Sequence, residues 1–504
     1  MVTIRHLGVV FFLLYGFSIP LLSATFVEEH FVASLCMIVS CCVLSVLLYS
    51  GRALLLNILI SFYVFKRYLT RPYVDIFLDK LDGEQLSYIG ENSAFFTPGD
   101  AAVVYLSLLS LLLAWLLGLL VVTPKKVTKH NYWVFRKLDE IVLSLNWRLW
   151  LTVIIVALLT YQSPAVLWES TISSGSAGLV AYGLLSMSTV YYVCLAAFIV
   201  TRQHSSGNVY YILLVPIVIE SLFSVAGGGR GALYNVFVFV LLYWTYLNSN
   251  RYITLRDIKR ALLCALFIPL VIFGGLAAQV MRPLFRVGRT AALLDPGELW
   301  NTALVNLNVF APDNPVVTTL YFGITQLLHR LGSLQAPILI LNDHYINVPW
   351  DTFNPLDSFM RTVNDLLPGT LFPDMIPITR LFHHIYFNEF VNYASHMWSI
   401  QGTLYLYVGI ILSPIVVFVI AMLTGRYGSR LGYLARTSPA FATFFMFLVL
   451  DLIENGTVER VIPVDVVRPL ASFFFVIAAV KVLYIVFPGK RRAPVTGRRS
   501  ALGV

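Results

Sequence analysis

The stretch GDAAVVYLSLLSLLLAWLLGLLVV, residues 99–122, carries one charge, Asp100, at its start and is apolar from there on. About 20 such residues are enough to cross the hydrocarbon core of a bilayer as a helix. The pattern recurs along the chain. Spans are expected near 7–25, 31–50, 53–69, 99–122, 141–163, 178–200, 208–226, 231–248, 260–280, 404–424, 438–455 and 467–487. The third is the weakest, because Lys66 and Arg67 interrupt its end. The composition agrees: 58% of the 504 residues are hydrophobic, 12% are charged, and the mean hydropathy is +0.79. A soluble globular protein carries about 25% charged residues. The expected class is therefore an all-α polytopic membrane protein of about twelve transmembrane helices. The net charge of +9 is to be read by side of membrane and not as a nucleic-acid signal.

Lysine and arginine in short connections orient the chain. Arg52, then Lys125, Lys126, Lys129, Arg136 and Lys137, then Arg202 fall on alternate connections. Arg251, Arg256, Lys259 and Arg260 continue the series, followed by Arg426, Arg430 and Arg436 and by the basic tail from Lys490. Both termini are then expected in the cytoplasm. The division is 1–280, an N-terminal bundle of about nine helices; 281–403, a large extracytoplasmic loop with short helices; 404–487, C-terminal helices; and 488–504, a basic cytoplasmic tail. In a Gram-negative cell the loop would be periplasmic. The five cysteines all fall in apolar runs and make neither a disulfide framework nor a metal site. No Walker A motif and no HExxH occurs.

The loop concentrates the chemistry. It holds six arginines, five of the nine histidines and nine acidic residues, with no lysine. Arginine without lysine suits bidentate recognition of phosphate or carboxylate. Four segments stand out. In SVAGGGRGALYN, residues 224–235, Gly228, Gly229 and Arg230 precede a span. Glycine-freed amides, a helix N-terminus and a guanidinium together describe an anion site. A tight hairpin whose arginine snorkels to headgroups fits the same residues. In QVMRPLFRVGRTAALLDPG, residues 279–297, Arg282, Arg286 and Arg289 share a face if the helix continues past Pro283. They suit the diphosphate of a lipid carrier, or equally an interfacial helix resting on lipid phosphates. His329 and Arg330 form either a further phosphate or sugar contact or a surface turn. Finally, Arg380, His383, His384, Glu389 and His396 precede the span that closes the loop. His396, nearest the membrane, is the candidate general base on a sugar hydroxyl, and His383 a sugar-groove residue or a structural hydrogen bonder.

At these residues the chain resembles the Wzy-type O-antigen and exopolysaccharide repeat-unit polymerases, relatives of the O-antigen ligases. The resemblance rests on the layout of spans, the late outer loop and the Gly227–Arg230 element at a helix end. Arg282 after the next helix pair, LLPGTLFP at 366–373, and Gly402 and Gly409 at the span that closes the loop add to it. One RX10G pattern runs from Arg286 to Gly297. The resemblance implies a GT-C-like, metal-independent glycosyltransferase without cofactor. It would join undecaprenyl-diphosphate-linked oligosaccharides on the outer face of the bacterial cytoplasmic membrane, alongside a chain-length regulator of the Wzz type. On it, Arg230, Arg282 and Arg330 carry over as diphosphate contacts. His396 matches the ligase branch's histidine, with Met397 where that branch has asparagine.

Other readings compete. An O-antigen-ligase-type transferase would share fold and donor. A lipid-linked-oligosaccharide flippase or transporter predicts internal symmetry and short loops on both sides, and the 281–403 segment does not fit that. A structural subunit of an envelope machine predicts loop arginines that tolerate substitution.

Overall fold

The computed structural model describes residues 3–22, 31–71, 98–125, 231–255, 355–366 and 399–455, together with isolated positions between 135 and 140, 192 and 200, 258 and 259, and 466 and 486, and residues 341 and 372. Within these residues the chain is helical, with no strand beyond one isolated bridge, Thr3 to Tyr252. The helices are α1 (Ile4–Leu22), α2 (Phe31–Ser50), α3 (Leu54–Val64) continued by a π-turn (Phe65–Leu69), α4 (Pro98–Val121), α5 (Gly231–Leu247), α6 (Pro355–Leu366), α7 (Ser399–Val408), α8 (Ser413–Thr437) and α9 (Pro439–Asn455). Among the described residues, three stretches are long and apolar enough to cross a membrane: Phe31–Ser50, Ala101–Val121 and Ser413–Thr437. Large apolar side chains stand exposed along these helices, among them Phe11, Leu14 and Phe17 on α1 and Leu106, Leu113 and Leu117 on α4. Apolar surface of that extent marks contact with a membrane or another protein and is compatible with lipid around these helices.

Helix contacts are made through small residues, as expected where the surroundings are as apolar as the side chains. Gly16 of α1 lies against Cys41 of α2, and Ser45 donates across to the Val9 carbonyl at 3.3 Å. At the α4–α8 crossing, a Cβ at Gly118 would lie 2.5 Å from the Phe418 carbonyl oxygen and 2.6 Å from the Ala421 Cβ, so only glycine fits. Ala421, Gly425 and Gly428 form the buried edge of α8, the latter two packed on Leu119 and Ala53.

The α2–α3 link is held by one amide. Asn57, fully buried, donates to the Leu47 carbonyl at 2.9 Å and the Arg52 carbonyl at 2.8 Å, and accepts from the Trp115 indole at 3.0 Å. Helix end, turn and α4 are thereby tied together. Gly51 has φ 67°, in the left-handed region that favours glycine, beside the Arg5 guanidinium.

Among the described residues, the cationic connections gather at one end. Ile4 N–H donates to the Arg251 carbonyl at 3.2 Å and Arg5 N–H to the Ser249 carbonyl at 3.0 Å. Arg52 donates to the carbonyls of Leu119, Leu120 and Val122 at 2.7, 3.2 and 3.3 Å, satisfying the end of α4 and placing a cation at its negative pole. Lys125 N–H donates to the Arg426 carbonyl at 3.0 Å, and the Arg436 guanidinium lies 5.3 Å from the Tyr246 ring centre. At the same end Asp139 caps α9, accepting from the Ala440 N–H at 3.0 Å. Burial pushes its carboxyl up to about 6, against the lowering effect of Ser438 and Ala440.

Helix bounds agree with the sequence reading to within three residues for the first four expected spans, for 231–248 and for 438–455. The 404–424 segment differs. It is two helices, α7 beginning at Ser399 and α8 running on to Thr437, separated by a turn at 409–412. Gly409 has φ 82°, which an α-helix cannot continue through, and Pro414 opens α8. The expected spans at 141–163, 178–200, 208–226, 260–280 and 467–487 lie outside the described residues, apart from isolated positions.

Candidate functional site

Arg230, Arg282, His396, Gly228, Gly229, Arg286, Arg289, Arg330, Arg380 and His383 all lie outside the described residues. The structure does describe the helices that flank two of these segments. α5 begins at Gly231, directly after Arg230, and α7 begins at Ser399, three residues after His396. Both starts are at the end of the bundle remote from the arginine cluster. The far end of α5 is the part tied to Arg5 through Ser249, about 25 Å along the axis. The start of α7 is fixed beside Val104 and Ser107, in the first half of α4.

A buried polar web holds that start of α7. Gln401, 1% exposed, donates to the Val104 carbonyl at 3.1 Å, to the Ser107 hydroxyl, and to the Tyr405 hydroxyl at 3.3 Å. Its carbonyl oxygen accepts from the Tyr68 hydroxyl. Tyr63 lies 3.5 Å from Tyr68, hydroxyl to hydroxyl, and Tyr105 donates to the Tyr68 carbonyl at 2.7 Å. The π-turn makes this possible. A π-turn brings residues five apart onto one face, which is the spacing of Tyr63 and Tyr68. Ser399, fully buried, adopts φ 67°, a left-handed conformation that costs a serine of order 1–3 kcal/mol.

Two arginines flank the web. Arg67 lies in the π-turn and Arg71 just beyond it, 7% and 2% exposed, and each is engaged with neighbouring groups. A third, Arg361, is 7% exposed on the amphipathic helix α6. α6 docks on α7 through Ser358 and Tyr407, whose hydroxyls are 3.2 Å apart. Guanidinium groups withdrawn from water persist only against acceptors, and their planar forks match phosphate or carboxylate oxygens. Sequence reasoning missed the web, Arg67 and Arg71 as a unit. The legible signal was the Tyr63/Tyr68 spacing with Gln401 at the head of a span. Among the described residues no three histidine, cysteine or acidic side chains are grouped to hold a metal ion.

Compared with protein families, curated proteins and solved structures, the chain matches none.

Proposed function

We propose that this chain is a glycosyltransferase of the bacterial cytoplasmic membrane, multi-pass with both termini in the cytoplasm. In this reading it polymerises undecaprenyl-diphosphate-linked oligosaccharide repeat units into O-antigen or exopolysaccharide at the outer face. The supporting observation is the position of two helix starts. Gly231 and Ser399, which adjoin Arg230 and His396, both open helices at the end opposite the arginine-rich connections. That end is the outer one if the cations mark the cytoplasm.

The chemistry assigned to these residues is a displacement at the anomeric carbon of the growing chain. A sugar hydroxyl of the incoming repeat attacks as His396 takes its proton. The bond from anomeric carbon to phosphate oxygen breaks, and undecaprenyl diphosphate leaves with the electron pair. Arg230 and Arg282, with the amides of Gly228 and Gly229, stabilise the charge that develops on it. Arg286, Arg289 and Arg330 extend the phosphate grip, while Arg380 and His383 line the sugar side. The test is the purified protein with a polyprenyl-diphosphate-linked repeat unit and a chelator. A ladder of lengthened glycans with release of polyprenyl diphosphate is expected. Transfer of a single repeat to a lipid A core instead would mark a ligase, and turnover abolished by the chelator would overturn the metal-independent mechanism.

A further inference from the structure

We infer that the α4–α8 crossing binds one anionic phospholipid at its cationic end, independently of the transferase reading. Two observations meet there. The first is an apolar surface on both helices, Leu117 and Leu120 on α4 and Val419 and Leu423 on α8, each 43 to 55% exposed. These flank the close contact at Gly118 and Gly425 and suit acyl chains lying along the bundle.

The second observation is what lies one turn further on. Arg426 and Arg430 hold their guanidinium carbons 6.0 and 5.8 Å from the centre of the Tyr427 ring, which is itself 38% exposed. Lys125, exposed, is fixed beside them by its backbone: its N–H donates to the Arg426 carbonyl at 3.0 Å, and its carbonyl accepts from Ser429 at 2.8 Å. Three cations and an amphipathic ring thus sit at headgroup depth, directly below an apolar surface. Arg52 already meets the negative pole of α4, so the helix end does not repel a phosphate. Charge and apolarity follow in the order that a phosphate on two acyl chains presents them. A soluble phosphate would leave the apolar part unused.

The test is thermal unfolding of the full-length protein in detergent with added phosphatidylglycerol, phosphatidylcholine of the same chains, or inorganic phosphate. Each cation near a headgroup phosphate is worth about five-fold in affinity. Wild type, with three such cations, is therefore expected to bind phosphatidylglycerol on the order of 100-fold more tightly than phosphatidylcholine. In Arg426→Gln/Arg430→Gln, which keeps Lys125, this preference should fall to about five-fold. If the double variant does not fold, Lys125→Gln, whose backbone bonds remain, should reduce the preference about five-fold. Equal affinity for the two lipids, an undiminished preference in the variants, or equal stabilisation by inorganic phosphate would overturn the proposal.

Discussion

Replacing Asn57 by leucine keeps roughly the side-chain volume and removes all three hydrogen bonds at the α2–α3 link. Two groups lose their partner: the buried Trp115 indole N–H at 3.0 Å and the Arg52 carbonyl at 2.8 Å. The Leu47 carbonyl still accepts from the Ser50 hydroxyl at 2.9 Å. Each orphaned buried group costs about 1–3 kcal/mol in water-soluble proteins, whereas interhelical bonds in membranes average about 0.6 kcal/mol. The expected loss is thus about 2–4 kcal/mol, the lower part applying if the unfolded chain finds partners in the micelle. It is measured by denaturant titration in mixed micelles, following tryptophan fluorescence. The cycle with Trp115→Phe, which removes the donor, should return a coupling of about 0.6–1.7 kcal/mol. A stability within about 0.5 kcal/mol of wild type, with no coupling to Trp115, would refute the role given to this amide.

Further outcomes follow from other contacts. Gly118→Ala places a Cβ 2.5 Å from the Phe418 carbonyl and should cost about 1–3 kcal/mol in the same assay, whereas Leu117→Ala on the exposed side should cost far less. Gln401→Leu removes the acceptor of the Tyr68 hydroxyl and the donor to Ser107, which keep Tyr63 and the Val104 carbonyl as partners, and should lower stability by about 1–2 kcal/mol, with faster proteolysis of the segment before α7. Asp139, raised from 3.8 to about 6, binds its proton more tightly folded than unfolded. Its contribution is therefore full below about pH 4 and falls as pH rises toward 6, by at most about 3 kcal/mol. Asp139→Asn, which keeps the acceptor for Ala440, should flatten that slope in unfolding measured from pH 4 to 7.

Hydropathy alone marks α2 and α4 because each is one apolar run between charged or glycine-rich links. It cannot register the break between α7 and α8, since Tyr405–Val408 and Ser413–Met422 are equally apolar and the break lies in one positive φ at Gly409. The charges on 426–436 suggested a connection. The segment is helical because α8 presents small residues to its neighbours, and its arginines lie on the faces of Tyr427 and Tyr246. Grouping of the cationic connections was legible, as charge sorts by side of membrane. The polar web was not: Gln401 and the tyrosines look like interfacial residues until the π-turn and Ser399 set their direction. The candidate arginines and histidines stand out by residue type and place in the layout, and they lie outside the described residues.

The most direct measurement compares Arg230→Ala, Arg282→Ala and wild type, at matched membrane abundance, for polymer length on a gel. Loss of the ladder is expected in both variants, a fall of about 100-fold or more, as when a group stabilising a leaving anion is removed. A full-length ladder from both would contradict it.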